Sequence, residues 1–275
     1  MSLQWYPGHM TKARRELAAL MPSQDVIIEV LDARLPASSS NPLVTQLRRE
    51  TPCIKVLTRS DLADPEQTKA WLAHFRTQPN VAAIESSTER PHETRQRISE
   101  LTAGAALRRG PDKRVRALVT GVPNVGKSTL INTLMHRTVA VVGDKPAVTK
   151  QQQAVILKNG TTLTDSPGLM WPKIEDERGA FRLALAGSIP DTAIDYLTIA
   201  MFGAETLLER YAPLLAKRYK LTTMPASPEA LLTEVGKRRG CLRAGGVVDL
   251  HMASEMFVRD FRSGVIGRIT LESVE

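Results

Sequence analysis

Gly121-Val122-Pro123-Asn124-Val125-Gly126-Lys127-Ser128 carries the spacing G-x-x-x-x-G-K-S and follows a short apolar run over residues 115–120. With that spacing, successive backbone N–H groups curl around a polyphosphate, a lysine ammonium meets the outer phosphates and a hydroxyl is offered to Mg²⁺. Lys127 is therefore assigned to the β- and γ-phosphates and Ser128 to Mg²⁺, because a triphosphate must be neutralised before its terminal group can leave. Asn124, Val125, Gly126 and Thr129 complete the phosphate-binding set. Downstream, Asp165-Ser166-Pro167-Gly168 closes another apolar run: Asp165 is placed to reach the Mg²⁺ shell, and Gly168 to bring its N–H to the γ-phosphate. Between the two motifs, Val141-Val142-Gly143-Asp144-Lys145-Pro146-Ala147-Val148-Thr149 reads as a loop whose Thr149 closes on Mg²⁺ and the γ-phosphate. Thr138 competes for that role. Lys127, Thr149 and Gly168 are the catalytic candidates at this end.

A second set of residues lies upstream. Thr58-Arg59-Ser60-Asp61 and Ser86-Ser87-Thr88 each follow a short β-branched run. The Asp61 carboxylate can accept from guanine N1–H and the 2-amino group, two donors that adenine lacks, and a site built to pair such groups rejects the wrong base by about 10⁴ or more. Arg59 can lie over the base face as a cation. Thr58, Arg59, Ser60, Asp61, Ser86 and Ser87 form the base-side candidates.

Positioning these motifs requires strands that end side by side. Residues 26–31, 53–57 and 81–85 read as buried strands, with helices over 43–49, 65–76 and 94–107. Such β-α-β-α alternation implies a parallel sheet with right-handed crossovers. A charged break over 108–114 precedes the phosphate-loop strand, and a helix follows the loop from Ser128 to about Met135. Strands over 154–158 and 161–164 are joined by Asn159-Gly160, which suits a type I′ turn. From Glu175 the pattern becomes helical, over 176–186, 191–202, 205–218, 229–239 and 254–262. The expected architecture is α/β: a doubly wound, mainly parallel phosphate-loop domain over residues 1–173, then an all-α domain over 174–275.

In GTPases the motif N-K-x-D ends one strand and a Ser/Ala-rich tip ends the next, both after the phosphate loop; here both precede it. That order resembles a circularly permuted GTPase. With Trp5-Tyr6-Pro7-Gly8-His9-Met10-Thr11-Lys12-Ala13-Arg14-Arg15, Asp32-Ala33-Arg34-Leu35-Pro36, Asn41-Pro42, Trp171-Pro172-Lys173 and Lys237-Arg238-Arg239-Gly240-Cys241-Leu242, the chain resembles the YlqF-type ribosome biogenesis GTPase A family nearly end to end. The resemblance implies Mg²⁺-dependent hydrolysis of GTP to GDP and phosphate by an assembly factor of the large ribosomal subunit. It further implies stimulation by the particle, contact with rRNA and a monomer off the ribosome. His9 is the family's candidate for assisting the attacking water, with a histidine on a surface helix beginning near Met10 as the plain alternative. Asn124 is the type of residue that helps hold K⁺ in potassium-dependent GTPases. Two departures stand out. Thr58-Arg59 replaces Asn-Lys while Asp61 is kept, so guanine preference is expected to survive with weaker affinity. Leu169 follows Gly168 where many signalling GTPases carry a water-orienting glutamine, which implies slow intrinsic hydrolysis accelerated by a partner.

Length and composition bound these readings. At 275 residues, 42% hydrophobic and 24% charged, the chain has the composition of a soluble globular protein with two domains. Cys53 and Cys241 are far apart and lack metal-ligand spacing, which excludes a disulfide framework and fits a reducing cytoplasm. No apolar run approaches the roughly 18 residues of a membrane helix, so no membrane association is expected. From Trp171 onward 14 basic residues balance 14 acidic ones, so the whole +8 excess lies in the first 170 residues. A basic surface of that kind attracts polyanions. Lys12, Arg14 and Arg15 fall on one helix face with Ala13, Leu17 and Met21 on another, and Lys237-Arg238-Arg239 forms a second cluster. Both are candidates for RNA phosphate contacts, solvated helix faces being the plain reading. A nucleotide-gated RNA-binding scaffold with negligible turnover, and a metabolic P-loop kinase, are the competing functions.

Overall fold

The structure, a computed structural model, describes residues 8–109, 114–135, 154–170 and 176–274. The described residues divide into two compact units, one within Gln4–Lys173 together with Glu272–Glu275 and the other within Ile174–Leu271.

The first unit is built on a six-stranded sheet of β1 (Val26–Asp32), β2 (Cys53–Thr58), β3 (Val81–Glu85), β4 (Arg116–Thr120), β5 (Ala154–Ile156) and β6 (Thr162–Asp165), in the order β3-β2-β1-β4-β6-β5. All neighbours pair in parallel except β5 with β6. β1 and β2 are buried along their whole length, as strands covered on both faces must be, and so read as near-continuous apolar runs. The polar residues in mid-strand are Glu29 and Lys55, which lie opposite one another in the β1–β2 register and form an ion pair at 2.5 Å.

Among the described residues, the α-helices of this unit are α1 (Gly8–Leu20), α2 (Pro36–Ser39), α3 (Pro42–Arg48), α4 (Pro65–Arg76), α5 (Pro91–Arg109) and α6 (Lys127–Met135). α3 and α4 start at proline behind an Asx cap, with Asn41 accepting from Leu43 N and Asp64 from Glu66 N and Gln67 N. The fixed φ of proline suits the first helical position, where its missing N–H would be unpaired anyway. Trp71 and Phe75 of α4 pack on Leu31, Leu57 and Ala83, which anchors the helix to the β3 side of the sheet. α1 buries Ala13 and Leu17 while Lys12, Arg14 and Arg15 stay exposed, matching the amphipathic face read from sequence. Successive strands step outward from β1 toward β3, and from β4 toward β6, so the topology reverses between β1 and β4.

The β5–β6 connection differs from expectation. Leu157 N donates to Thr161 O and Gly160 N to Leu157 O, and Gly160 has φ 82° while Asn159 is not in the positive-φ region. A type I′ turn needs positive φ at both central residues. The connection is therefore a three-residue turn closed by a left-handed glycine.

The second unit contains α7 (Glu177–Ala186), α8 (Tyr196–Arg210), α9 (Ala212–Tyr219), α10 (Pro228–Arg239) and α11 (Leu250–Arg262). The helix expected over 191–202 begins only at Tyr196, where Asp195 accepts from Thr198 N. It then runs through the expected break, because Gly203 is a packing position: a Cβ there would lie 3.0 Å from Leu185 and 3.2 Å from Phe257. The break falls at Tyr211, just ahead of Pro213. α11 starts four residues earlier than expected because Asp249 caps it through His251 N and Met252 N. This unit ends at Leu271, short of the expected end at 275. Glu272 belongs to the first unit, where its carboxylate accepts from Ala37 N at 2.7 Å and Ser38 N at 3.0 Å and its carbonyl from Trp71 Nε1 at 3.4 Å.

Candidate nucleotide site

Because β1, β2, β3, β4 and β6 run parallel, their carboxyl ends share one edge, and every motif singled out in the first unit's strands follows one of those ends. Open α/β sheets bind ligands at this edge, near the point where the topology reverses.

At the β4 end, Gly121 has φ 155°, and a Cβ would meet Val30 O at 2.5 Å, so no side chain fits where the phosphate loop leaves the strand. Asn124 and Gly126 also have positive φ, 56° and 105°. Lys127 is buried and its Nζ donates to Gly121 O at 3.1 Å and Val122 O at 2.9 Å. Burial pushes its pKa down to about 8, against the pull of Asp165. Gly168 lies on this loop: a Cβ would sit 2.9 Å from Pro123 Cα and 3.1 Å from Lys127 Nζ. Leu169 N donates to Gly121 O at 3.2 Å.

Asp165 and Ser166 are buried, yet Asp165 Oδ1 and Ser166 Oγ have no hydrogen-bond partner among the described residues. Burial raises the Asp165 pKa to about 6, with Lys127 and Ser166 N pulling it back. A buried, unpartnered carboxylate oxygen and the half-buried hydroxyl of Ser128 are hard oxygen donors of the kind Mg²⁺ takes. No cluster of three or more His, Cys, Asp or Glu suited to a metal exists among the described residues. Mg²⁺ bound by few protein ligands and by phosphate oxygens needs none.

On the other side of the loop, a cavity of about 210 Å³ is lined by Thr58, Arg59, Asp61, Ser86, Ser87, Gly126 and Thr129. Base-side and phosphate-side candidates therefore meet across Gly126. Ser60 does not line this cavity: it is fully buried, and its N–H donates to Ser86 O at 3.3 Å, joining the two base-side loops. Thr58 Oγ1 lies 2.8 Å from Leu31 O and 2.6 Å from Val125 O, so its single proton serves one or the other and ties β2 to β1 or to the phosphate loop. Arg59, at φ 56°, donates from NH1 to Asp32 Oδ2 at 3.0 Å and from NH2 to the Asn124 carbonyl at 2.7 Å. The Asp32 carboxylate also takes Arg34 Nε at 3.0 Å, Arg34 NH2 at 2.8 Å and Arg34 N at 3.0 Å. Burial alone would raise the Asp32 pKa, but Arg34 and Arg59 outweigh it and hold the carboxyl at about 2. Sequence reading placed the Arg59 cation over a base; here its guanidinium bridges Asp32 and the phosphate loop. Asp32 and Arg34 anchor that bridge. An acidic residue ending a buried strand is the one signal that marks Asp32 in advance.

Thr149 and its competitor Thr138 lie outside the described residues. His9 belongs to α1 by its backbone, and its side chain lies outside the described residues. Leu169 is 1% exposed, so it offers neither polar group nor solvent-facing surface next to Gly168. Of the basic candidates, Lys12 reaches Glu16 at 3.8 Å, and Arg14 and Arg15 make no ion pair among the described residues. On α10, Lys237 meets Glu234 at 2.8 Å, Arg238 donates to Lys220 O at 3.0 Å and Arg239 reaches Asp260 at 3.6 Å. The second cluster is thus partly neutralised in place.

Comparison with known proteins adds to this geometry. The family described as "50S ribosome-binding GTPase" matches residues 116–201. The chain is 39% identical to ribosome biogenesis GTPase A of Bacillus pumilus, with 100% of both chains covered. It is 31% identical to ribosome biogenesis GTPase A of Thermotoga maritima, over 99% of this chain and 95% of that one. It is also similar to the crystal structure of GNP-bound YlqF from T. maritima, with a TM-score of 0.67, 29% identity, and coverage of 95% of this chain and 98% of that one.

Proposed function

Because the chain belongs to the ribosome biogenesis GTPase A family, and so is a GTPase of ribosome assembly, we propose that it serves the large subunit and that this particle stimulates its hydrolysis. The observation that carries this reading is the meeting of the base-side and phosphate-side motifs on one sheet edge, around the cavity at Gly126. The domain is read as circularly permuted: the phosphate-loop strand β4 occupies the sheet centre although three strands precede it in the chain. A cut and rejoined chain leaves sheet order unchanged while moving the base-side strands to the front.

In the mechanism we infer, the loop N–H groups and Lys127 hold the β- and γ-phosphates, and Asp61 accepts from the guanine edge. Ser128 and Asp165 would hold Mg²⁺, whose charge offsets that of the phosphates. Gly168, close against Pro123 and Lys127, offers its N–H to the γ-phosphate. Thr149 completes the phosphate end, His9 assists the attacking water, and Asn124 would hold K⁺. Leu169 is buried and apolar, so the residue beside Gly168 orients no water; ordering of the site by the particle supplies what the free protein lacks. Lys12, Arg14, Arg15, Lys237, Arg238 and Arg239 contact rRNA phosphates, in the cytoplasm, and the protein is monomeric off the ribosome.

GTP and ATP hydrolysis measured alone, with large subunits and with small subunits tests this reading. Activation by the large subunit, with GTP and not ATP, is expected. The buried Leu169 favours one alternative, a nucleotide-gated RNA-binding scaffold, and binding without acceleration on any particle would establish it instead. Loss of rRNA binding with rising salt is also expected; salt-insensitive binding would point to protein contacts.

A further inference from the structure

Glu29, Lys55, Ser40 and Asn41 form a polar group inside the sheet unit, and none of them is among the residues assigned to the nucleotide. Glu29 is 1% exposed, Lys55 3% and Asn41 1%. Lys55 Nζ donates to Glu29 Oε2 at 2.5 Å and to Ser40 Oγ at 2.9 Å, and Asn41 N donates to Glu29 Oε1 at 2.9 Å. A buried ion pair is weak evidence for stability, since desolvation opposes the attraction. What this one does is fix the main chain that enters α3.

The side chain of Asn41 is then fully determined. Its Oδ1 accepts from Leu43 N at 3.0 Å, which fixes the amide orientation and leaves Nδ2 to donate to Leu169 O at 3.0 Å. Leu169 is held from its other side by its own N–H on Gly121 O at 3.2 Å. Leu169, the residue after Gly168, is thus pinned through its N–H and its carbonyl between the phosphate loop and a side chain 128 positions away in sequence. Gly168 itself has no side chain with which to hold its place.

We propose that Asn41 is a positioning residue for recognition of the γ-phosphate: it sets the Gly168 N–H against the phosphate loop. Glu29 and Lys55 fix Asn41 in turn. This rests on the assignment of Gly168 to the γ-phosphate. GDP has no γ-phosphate, so Asn41 acts on GTP and not on GDP.

The test is equilibrium binding of GDP and of a non-hydrolysable GTP analogue to the full chain carrying Asn41→Ser. Serine keeps a cap oxygen for α3 and is too short to reach Leu169 O. Affinity for the analogue is expected to fall about tenfold, as for a buried carbonyl left without its donor, with GDP affinity changed by less than about twofold. An equal loss for both nucleotides, or no loss for either, would overturn the proposal. Should Asn41→Ser fail to fold, Asn41→Asp keeps shape and cap while exchanging the donor for an acceptor, and the same split is required of it. Gly168→Ala separates the two levels. If it removes analogue binding while Asn41→Ser does not, only the role of Asn41 falls. If Gly168→Ala leaves analogue binding unchanged, the assignment of Gly168 falls with it.

Discussion

The two ends of the nucleotide site are built by opposite means. At the base end, polar side chains are tied within the protein: Asp32 is gripped by Arg34 and Arg59, Arg59 is anchored on Asn124 O, and Thr58 reaches Val125 O. At the phosphate end, shape is set by glycines whose Cβ positions are blocked, at Gly121 and Gly168, while polar groups stay unmatched. Asp165 Oδ1 and Ser166 Oγ have no partner among the described residues, and burial depresses Lys127 while it raises Asp165. A buried polar group without a partner costs about 1–3 kcal/mol. The base-end loops are therefore cross-tied by their own side chains, and the phosphate end keeps an unpartnered buried carboxylate oxygen, Asp165 Oδ1, among the described residues. Under the proposed function, the base end would retain the nucleotide while the phosphate end responds to its charge.

Removing the anchor of the base end should have the largest effect. Asp32→Asn leaves the fully buried Arg34 without its carboxylate, and a loss of about 3 kcal/mol is expected in urea unfolding of the sheet unit. Its pH dependence carries a sign. The folded Asp32 carboxyl sits at about 2, below its ordinary 3.8, so the unfolded chain takes up the proton first on acidification. Stability from this residue is present above about pH 4 and is lost as pH falls toward 2, and Asp32→Asn should flatten that window. Equal stability of the two proteins across it would show that the Asp32 bridge is not structural.

At the phosphate end the effect should move from stability to affinity. Lys127→Ala is expected to weaken GTP binding on the order of 100-fold by calorimetry, without lowering the melting temperature, because it removes a buried cation. A melting temperature that dropped with affinity intact would reverse the contrast between the two ends. Smaller still, Thr58→Val keeps the branched shape and removes the hydroxyl. It should cost about 1 kcal/mol in stability and lower GTP and GDP affinity equally, by about fivefold. Loss of GTP affinity alone would place Thr58 with the phosphate end.

What could be read in the sequence follows from the same contrast. The phosphate loop is a local device whose glycines, lysine and serine sit at fixed spacing, so its strand and helix were legible without a structure. Parallel alternation was legible too, through the buried runs of β1 and β2. The base-end anchor was not, because Asp32, Arg34 and Arg59 act together only once β1 and β2 are adjacent. Asn41 touches Leu169 across 128 positions, and no periodicity announces that contact. The interruption expected between 202 and 205 is absent, since a glycine required by close packing, Gly203, looks the same in sequence as one that ends a helix. The turn at Asn159-Gly160 was misread for a related reason: the dipeptide permits two turn types, and strand register chose between them.

Amide hydrogen exchange of the full chain, with and without Mg²⁺ and a GTP analogue, tests the division between the two ends most directly. New protection should concentrate at 121–130 and 165–170, with 57–62 and 85–88 already protected before ligand is added. Protection gained chiefly at 57–62 and 85–88, or equally at both ends, would contradict it.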